Sequence, residues 1–147
     1  HYYQVLPLNA MLIGSFGASA ALIYGGPQLP VSQPYNVIVG HAISSFIGVS
    51  CYHLFTLFHL DTTITSVLIA SASVSLSIMA MLRTKSFHPP SAGNGIIYLM
   101  ASSAIHDLNY LFVLQPCILG ASILCTIGYL GNNILTKQKY PTYWWPW

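Results

Sequence analysis

Residues 83–95 read RTKSFHPPSAGNG. Two cations, a histidine and a double proline stand there between apolar runs, TITSVLIASASVSLSIMAML at 63–82 and IIYLMASSAI at 96–105. A helix entering this segment has to stop, because proline lacks a backbone donor and pushes the residue before it out of the helical region. Whether the stop is a surface loop or a break inside a bilayer decides the fold.

Composition points to the bilayer. Of 147 residues only 4% are charged and 54% are hydrophobic, against about 25% charged in a soluble domain. Such a chain cannot cover a water-facing surface, and we expect one membrane domain over residues 1–147. The net charge of +2, with no basic run, excludes a nucleic-acid partner. Cys51, Cys117 and Cys125 form no zinc or redox spacing and read as small packing residues. The chain begins at His1 with nothing basic before its first apolar run, so we expect a processed start or an upstream portion, and no signal peptide.

A spanning helix needs about 20 apolar residues. Residues 36–57, 63–82 and 116–135 qualify. Two other stretches are interrupted. Residues 1–25 cross a Gly/Ser break at GSFGAS into a short AALIYG, and residues 91–105 follow the double proline and end at His106, Asp107 and Asn109. Both read as short helices. The tail YPTYWWPW belongs at a headgroup interface, where Tyr and Trp are favoured.

The interruptions correspond to each other. AMLIGSFGASA at 10–20 parallels AMLRTKSFHPPSA at 80–92, and QPYNVIVGHAISSFIG at 33–48 parallels QPCILGASILCTIG at 115–128. Each half runs helix, break, short helix, Gln-Pro, helix. The halves are about 1–58 and 59–140, with residues 1–13 as the end of a first helix that is incomplete here. If each short segment crosses the membrane, Arg83, Lys85, Lys137 and Lys139 fall on one side and Asp61 and Asp107 on the other. The positive-inside tendency prefers that arrangement. The expected fold is therefore an all-α polytopic transmembrane bundle with two short discontinuous or half-helices and an internal repeat, inverted in sense.

Irregular backbone at membrane depth is tolerated where protein or a water-filled cavity surrounds it. A helix beginning there presents amide donors and partial positive charge, which suits a small anion. The candidate starts are Gly17-Ala18-Ser19 and Ser91-Ala92-Gly93, with Pro89 and Pro90 tolerated in the first turn. Ser15, Ser19, Ser86 and Ser91 add hydroxyls, and His88 adds a donor or a charge. A plain helix–turn–helix at the membrane surface is the competing reading of these residues.

The stretch GSFGASAALIYGGPQLPVSQPYNVIVGHAISSFIGV, together with FHPPSAGNGII, the Asn132-Asn133 pair and the terminal YPTYW, resembles the integral-membrane HPP family across nearly the whole chain. The family takes its name from the motif standing here at His88-Pro89-Pro90. The resemblance implies four transmembrane helices and, from plant-chloroplast and cyanobacterial members, transport of nitrite. It also puts His41, in Gly-His after the Gln-Pro run, near the pathway. Two departures stand out. Asn94 replaces a usual threonine, and the full hydrophobic helix that commonly precedes GSFGAS is represented only by its end.

His53 and His59 read as interfacial, and His106-Asp107 as a loop contact rather than a proton relay. A bis-histidine haem site from His41 and His106 is asked for by nothing in the spacing. There are no paired carboxylates, nucleophile triads or phosphate loops, so we expect no enzyme, no cofactor and no metal. The expected function is a small-anion, nitrite-like transporter or channel. Its expected anion-binding residues are Ser15, Gly17, Ser19, His41, His88, Ser91, Gly93 and Asn94. The alternative is a non-transporting accessory subunit of an organellar energy-conversion membrane complex. Expected partners are membrane lipid, a small inorganic anion and other membrane subunits. The resemblance implies an organellar inner membrane, of chloroplast or mitochondrion, or a bacterial plasma membrane.

Overall fold

A computed structural model describes residues 13–58 and 63–145. The expectations for residues 1–12, for His59 and for Asp61 lie outside the described residues. In chain order the elements are α1 (Gly14–Gly25), a 3-10 turn (Pro30–Ser32), α2 (Pro34–Leu57), α3 (Thr63–Arg83), a 3-10 turn (Pro89–Gly93), α4 (Asn94–Leu99), α5 (Ser103–His106) and α6 (Leu119–Leu130). Wider π-type turns, Val113–Ile118 and Gly131–Thr136, flank α6 and extend it at both ends. The described residues are helical with no strand, and three helices are long and apolar enough to cross a bilayer: Pro34–Leu57, Ile64–Arg83 and Val113–Thr136.

α2 is the centre of the bundle. It packs against α3, α4, α6 and both the Pro89–Gly93 and Val113–Ile118 turns. Pro34 occupies its first turn, where the absent N–H costs nothing, and extended Gln33 sets the entry. Along α2, Ser44, Ser45 and Gly48 are buried, because small residues let membrane helices approach closely. α3 is mostly exposed along its length, with Ile64, Val67, Leu68, Met79 and Leu82 directed outward. In a bilayer those side chains meet lipid. Its exposed serines bond within the helix: Ser71 donates to Val67 O at 2.8 Å and Ser75 to Ser71 O at 2.9 Å.

α3 ends by a left-handed cap. Lys85 has φ 55°, its N–H donates to Leu82 O at 3.4 Å, and Ser86 N–H donates to Met81 O at 2.9 Å. The chain then runs extended to His88 (φ −140°, ψ 93°) and enters the 3-10 turn on the two prolines. The helix that follows is broken again at residues 100–102, so the single short helix expected over 91–105 is two shorter pieces, α4 and α5.

The first stretch differs from expectation in the opposite sense. GSFGAS is not a break: residues 14–19 form the first turns of continuous α1. Its serines point inward, Ser15 toward Asn94 and Ser19 toward the two imidazoles. The Gln-Pro dipeptides also differ from one another. Gln33-Pro34 starts α2, whereas Gln115-Pro116 lies inside a helical run, with Gln115 non-helical (φ −127°, ψ 116°) and bending the path. The tail folds back over the start of α2. Tyr140 is 1% exposed and packs with Ile23, Val37, Ala121 and Cys125.

Candidate functional site

Five of the eight residues expected to bind an anion form one buried hydrogen-bonded cluster. α1 supplies Ser15 and Ser19, α2 supplies His41, the HPP segment supplies His88, and α4 supplies Asn94. Four of them, Ser19, His41, His88 and Asn94, are fully buried. His41 lies seven residues into α2, about 10 Å along its axis. The cluster therefore sits inside the bundle rather than at its end.

Ser19 is the hub. Its Oγ lies 2.7 Å from His88 Nε2, 3.1 Å from His41 Nε2 and 3.0 Å from Ser15 O. The imidazoles face each other across it with ring centroids 5.5 Å apart. Asn94 joins the other ends: Ser15 Oγ donates to Asn94 Oδ1 at 2.7 Å, and Asn94 Nδ2 donates to His41 Nδ1 at 2.9 Å. Asn94 Nδ2 also faces His41 O at 3.5 Å and Cys117 Sγ at 3.8 Å, so acceptors surround its donor side and fix the amide's orientation. His88 Nδ1 donates to Val31 O at 2.7 Å.

These partners dictate proton positions. A carbonyl only accepts, so His88 carries hydrogen on Nδ1. His41 Nδ1 accepts from Asn94, so in a neutral ring its hydrogen is on Nε2 and points at Ser19. Ser19 then accepts from His41 and has one hydrogen to give, with two acceptors in reach: His88 Nε2 and Ser15 O.

The other expected residues are placed differently. Ser91 is buried beside the cluster, its hydroxyl donating to His88 O at 2.8 Å and to Met81 Sδ at 3.3 Å. Ser86 is buried but pairs with Thr84 at 2.7 Å. Gly17 is exposed on the outer face of α1, in its body rather than at its start, and Gly93 is half-buried. A methyl placed on either glycine would meet no atom within 4 Å. Pro89 is exposed and Pro90 half-buried. The expected amide donors at the second helix start are reduced in number. Pro89 and Pro90 have no N–H, and the Ser91 N–H already donates to His88 O at 3.1 Å. Polar contact at this site comes from side chains.

Two positions were missed by sequence reading. Asn36 clamps the approach to the motif, its Nδ2 donating to Phe87 O at 3.1 Å and Lys85 O at 3.3 Å. Gly40 makes room for the motif: a methyl there would lie 2.9 Å from His88 Cβ, 3.0 Å from Ser91 Oγ and 3.2 Å from Ser86 O. The signal available was their i, i+4 spacing in the first turns of α2, which puts both on one face of that helix. The haem pairing of His41 with His106 is not formed. His41 faces His88, while His106 stacks on Tyr52 with centroids 4.0 Å apart and donates from Nε2 to Tyr98 O at 2.8 Å. Among the described residues no three His, Cys, Asp or Glu side chains come together as a metal site. His53 is partly exposed and bonds Asn109 Oδ1 at 2.9 Å.

Residues 2–141 match the family model described as HPP, transmembrane region. The chain belongs to the HPP transmembrane family. Curated relatives of this HPP chain include two Dictyostelium discoideum proteins, each named only as a transmembrane protein. One is 36% identical over 146 residues, covering 99% of this chain and 50% of the relative. The other is 36% identical over 135 residues, covering 91% of this chain and 42% of the relative. The HPP chain thus spans half or less of the length of these relatives. No solved structure matches it. Family and spans together make this an integral membrane protein.

Proposed function

We propose that this HPP protein carries a small inorganic monoanion of the nitrite type across its membrane, with Ser15, Ser19, His41, His88, Ser91 and Asn94 as the polar groups the ion meets. One observation carries the reading. In a membrane bundle, two fully buried imidazoles, from α2 and the HPP segment, converge on Ser19 Oγ of α1, and the buried Asn94 amide of α4 closes the cluster through His41 and Ser15. Polar and ionisable groups at membrane depth are costly and mark ion pathways, and transporters commonly place them where helices are interrupted. The proposal includes the inverted repeat, which would let α1 and the HPP segment rock against each other. It also includes the single domain and an organellar inner or bacterial plasma membrane.

The test is nitrite uptake into proteoliposomes containing the full-length protein. Ser19→Ala and His88→Ala are each expected to lower protein-dependent uptake about tenfold, as for loss of a hydrogen bond to a charged group. Undiminished uptake in both variants would refute the reading. A second reading is an accessory membrane subunit without transport. It is favoured by the mutual satisfaction of the cluster, in which Ser15, Asn94, His41, Ser19 and His88 already bond one another. Recovery of the protein only inside a larger assembly, with no uptake above empty vesicles, would select it.

A further inference from the structure

Resting on the anion reading of the same cluster, we propose that the Ser19–His88 pair is a proton-loading site and that the anion crosses together with a proton. The argument is a count of hydrogens. With both rings neutral, the cluster forms a chain of one polarity: Ser15 to Asn94, Asn94 to His41, His41 to Ser19, Ser19 to His88, and His88 to Val31 O. In that state Ser15 O receives nothing from Ser19.

A second arrangement uses the same heavy-atom positions. A proton arriving from water binds the lone pair of His88 Nε2. Ser19 turns its hydrogen from His88 to Ser15 O, 3.0 Å away, and accepts hydrogen bonds from both imidazoles. No covalent bond breaks except that of the incoming proton to its water, and the cluster gains a single positive charge. Apart from the added proton, only a hydroxyl rotation separates the two states.

The proton goes to His88 rather than His41 for a geometric reason. The free lone pair of neutral His41 is on Nδ1, facing the Asn94 amide donor at 2.9 Å. A hydrogen added there would point at another hydrogen. The amide cannot turn to receive it without breaking the Ser15 bond and setting Oδ1 against His41 O. His88 Nε2 instead faces a group that can either donate or accept.

Among the described residues no neighbour of His88 supplies a counter-charge. The HPP segment packs against α1, α2, α3 and α4. These present Ser15 and Ser19, His41, Met81 through Ser91, and Asn94, with Cys117 behind Asn94. Among the described residues the titratable group facing His88 is His41. Arg83 at the end of α3 and Lys85 just after it are exposed cations. Tyr98 of α4 is turned toward Tyr52, His106 and Phe112. Among the described residues no carboxylate bonds any member of the cluster. A charged imidazole buried without an anion is costly. The loaded state therefore calls for a monoanion, and the pair crosses without net charge.

Two measurements on the full-length protein test this. In proteoliposomes holding a trapped pH dye, an inward nitrite gradient is expected to acidify the lumen faster than in empty vesicles. The protein-dependent rate should not respond to an imposed potassium-diffusion potential, and His88→Gln should lower it about tenfold. Nitrite uptake that is driven by the potential and moves no proton would overturn the proton proposal and leave the anion reading standing. If no uptake is seen, the co-crossing is overturned, and the proton-loading role of His88 is decided by 15N-histidine NMR of the wild type in nanodiscs, with the His88 resonances assigned from His88→Gln. On acidification His88 is expected to pass from the Nδ1–H tautomer to the doubly protonated ring before His41 does. A His88 that stays neutral while His41 charges would overturn it.

Discussion

Ser19 illustrates how much a single hydroxyl can organise. It touches both imidazoles and a carbonyl, so its one hydrogen decides the protonation state of the group opposite. Gly40 works from the other side. Because its missing Cβ would collide with His88 and Ser91, Gly40→Ala is expected to push the HPP segment away from α2. The expected cost is about 1–3 kcal/mol of stability, from overpacking a filled site. Thermal denaturation in detergent beside proteoliposome uptake checks it, and an unchanged melting point would show that the segment can yield. Residue type beside the expected breaks pointed to Ser15, Ser19 and His88, and the family resemblance to His41 and Asn94. Residue type misplaced Gly17 and Gly93. Small residues near a presumed helix start look alike from sequence whether they face a ligand or lipid, and only the phase of α1 distinguishes them.

Among elements, the tightest junction is where α2 crosses α4. A methyl on Gly48 would lie 2.5 Å from Gly95 Cα, and one on Gly95 would overlap Ser73 Oγ from α3. Backbone meets backbone here, so no side chain can move aside. Gly48→Ala is expected to cost about 1–3 kcal/mol and to lower the yield of monodisperse protein. A fluorescence size-exclusion profile matching the wild type would contradict it. The three spans were legible because hydropathy over about 20 residues is a strong signal. The observed Pro34–Leu57, Thr63–Arg83 and Val113–Thr136 lie close to the expected bounds. The interruptions were less legible. Pro89 and Pro90 announced theirs, but GSFGAS was mistaken for one, since glycine and serine read as breakers until their inward partners are known. Nothing in the sequence marked residues 100–102, where the chain leaves α4 before α5.

At the scale of the molecule, the ends of the described chain are tied together through Gln33. This fully buried side chain donates from Nε2 to Pro27 O at 2.9 Å and to Leu29 O at 2.8 Å, and its Oε1 accepts from Thr142 N–H at 2.9 Å. Tyr140 adds a bond to Ser32 O at 2.9 Å, and Gln28 donates to Lys139 O at 2.6 Å. The aromatic tail therefore holds the corner between α1 and α2, and that corner includes Val31, whose carbonyl orients His88. Gln33→Ala removes the side-chain partners of Pro27 O and Thr142 N–H, while Leu29 O keeps its bond from Ser32 N–H. A loss of about 3 kcal/mol is expected, within the range for buried groups left unpaired. Gln33→Glu keeps the acceptor for Thr142 but removes the amide donors, so it should be no better than alanine. Leu→Ala changes on the lipid-facing side of α3, such as Leu68→Ala, remove no buried contact of this kind and should be nearly silent. Limited proteolysis separates these outcomes: in both Gln33 variants the tail from Tyr140 onward should become cleavable while the spans stay protected. A tail that remains resistant would mean that Tyr140, packed among Ile23, Val37, Ala121 and Cys125, holds the corner by apolar burial alone.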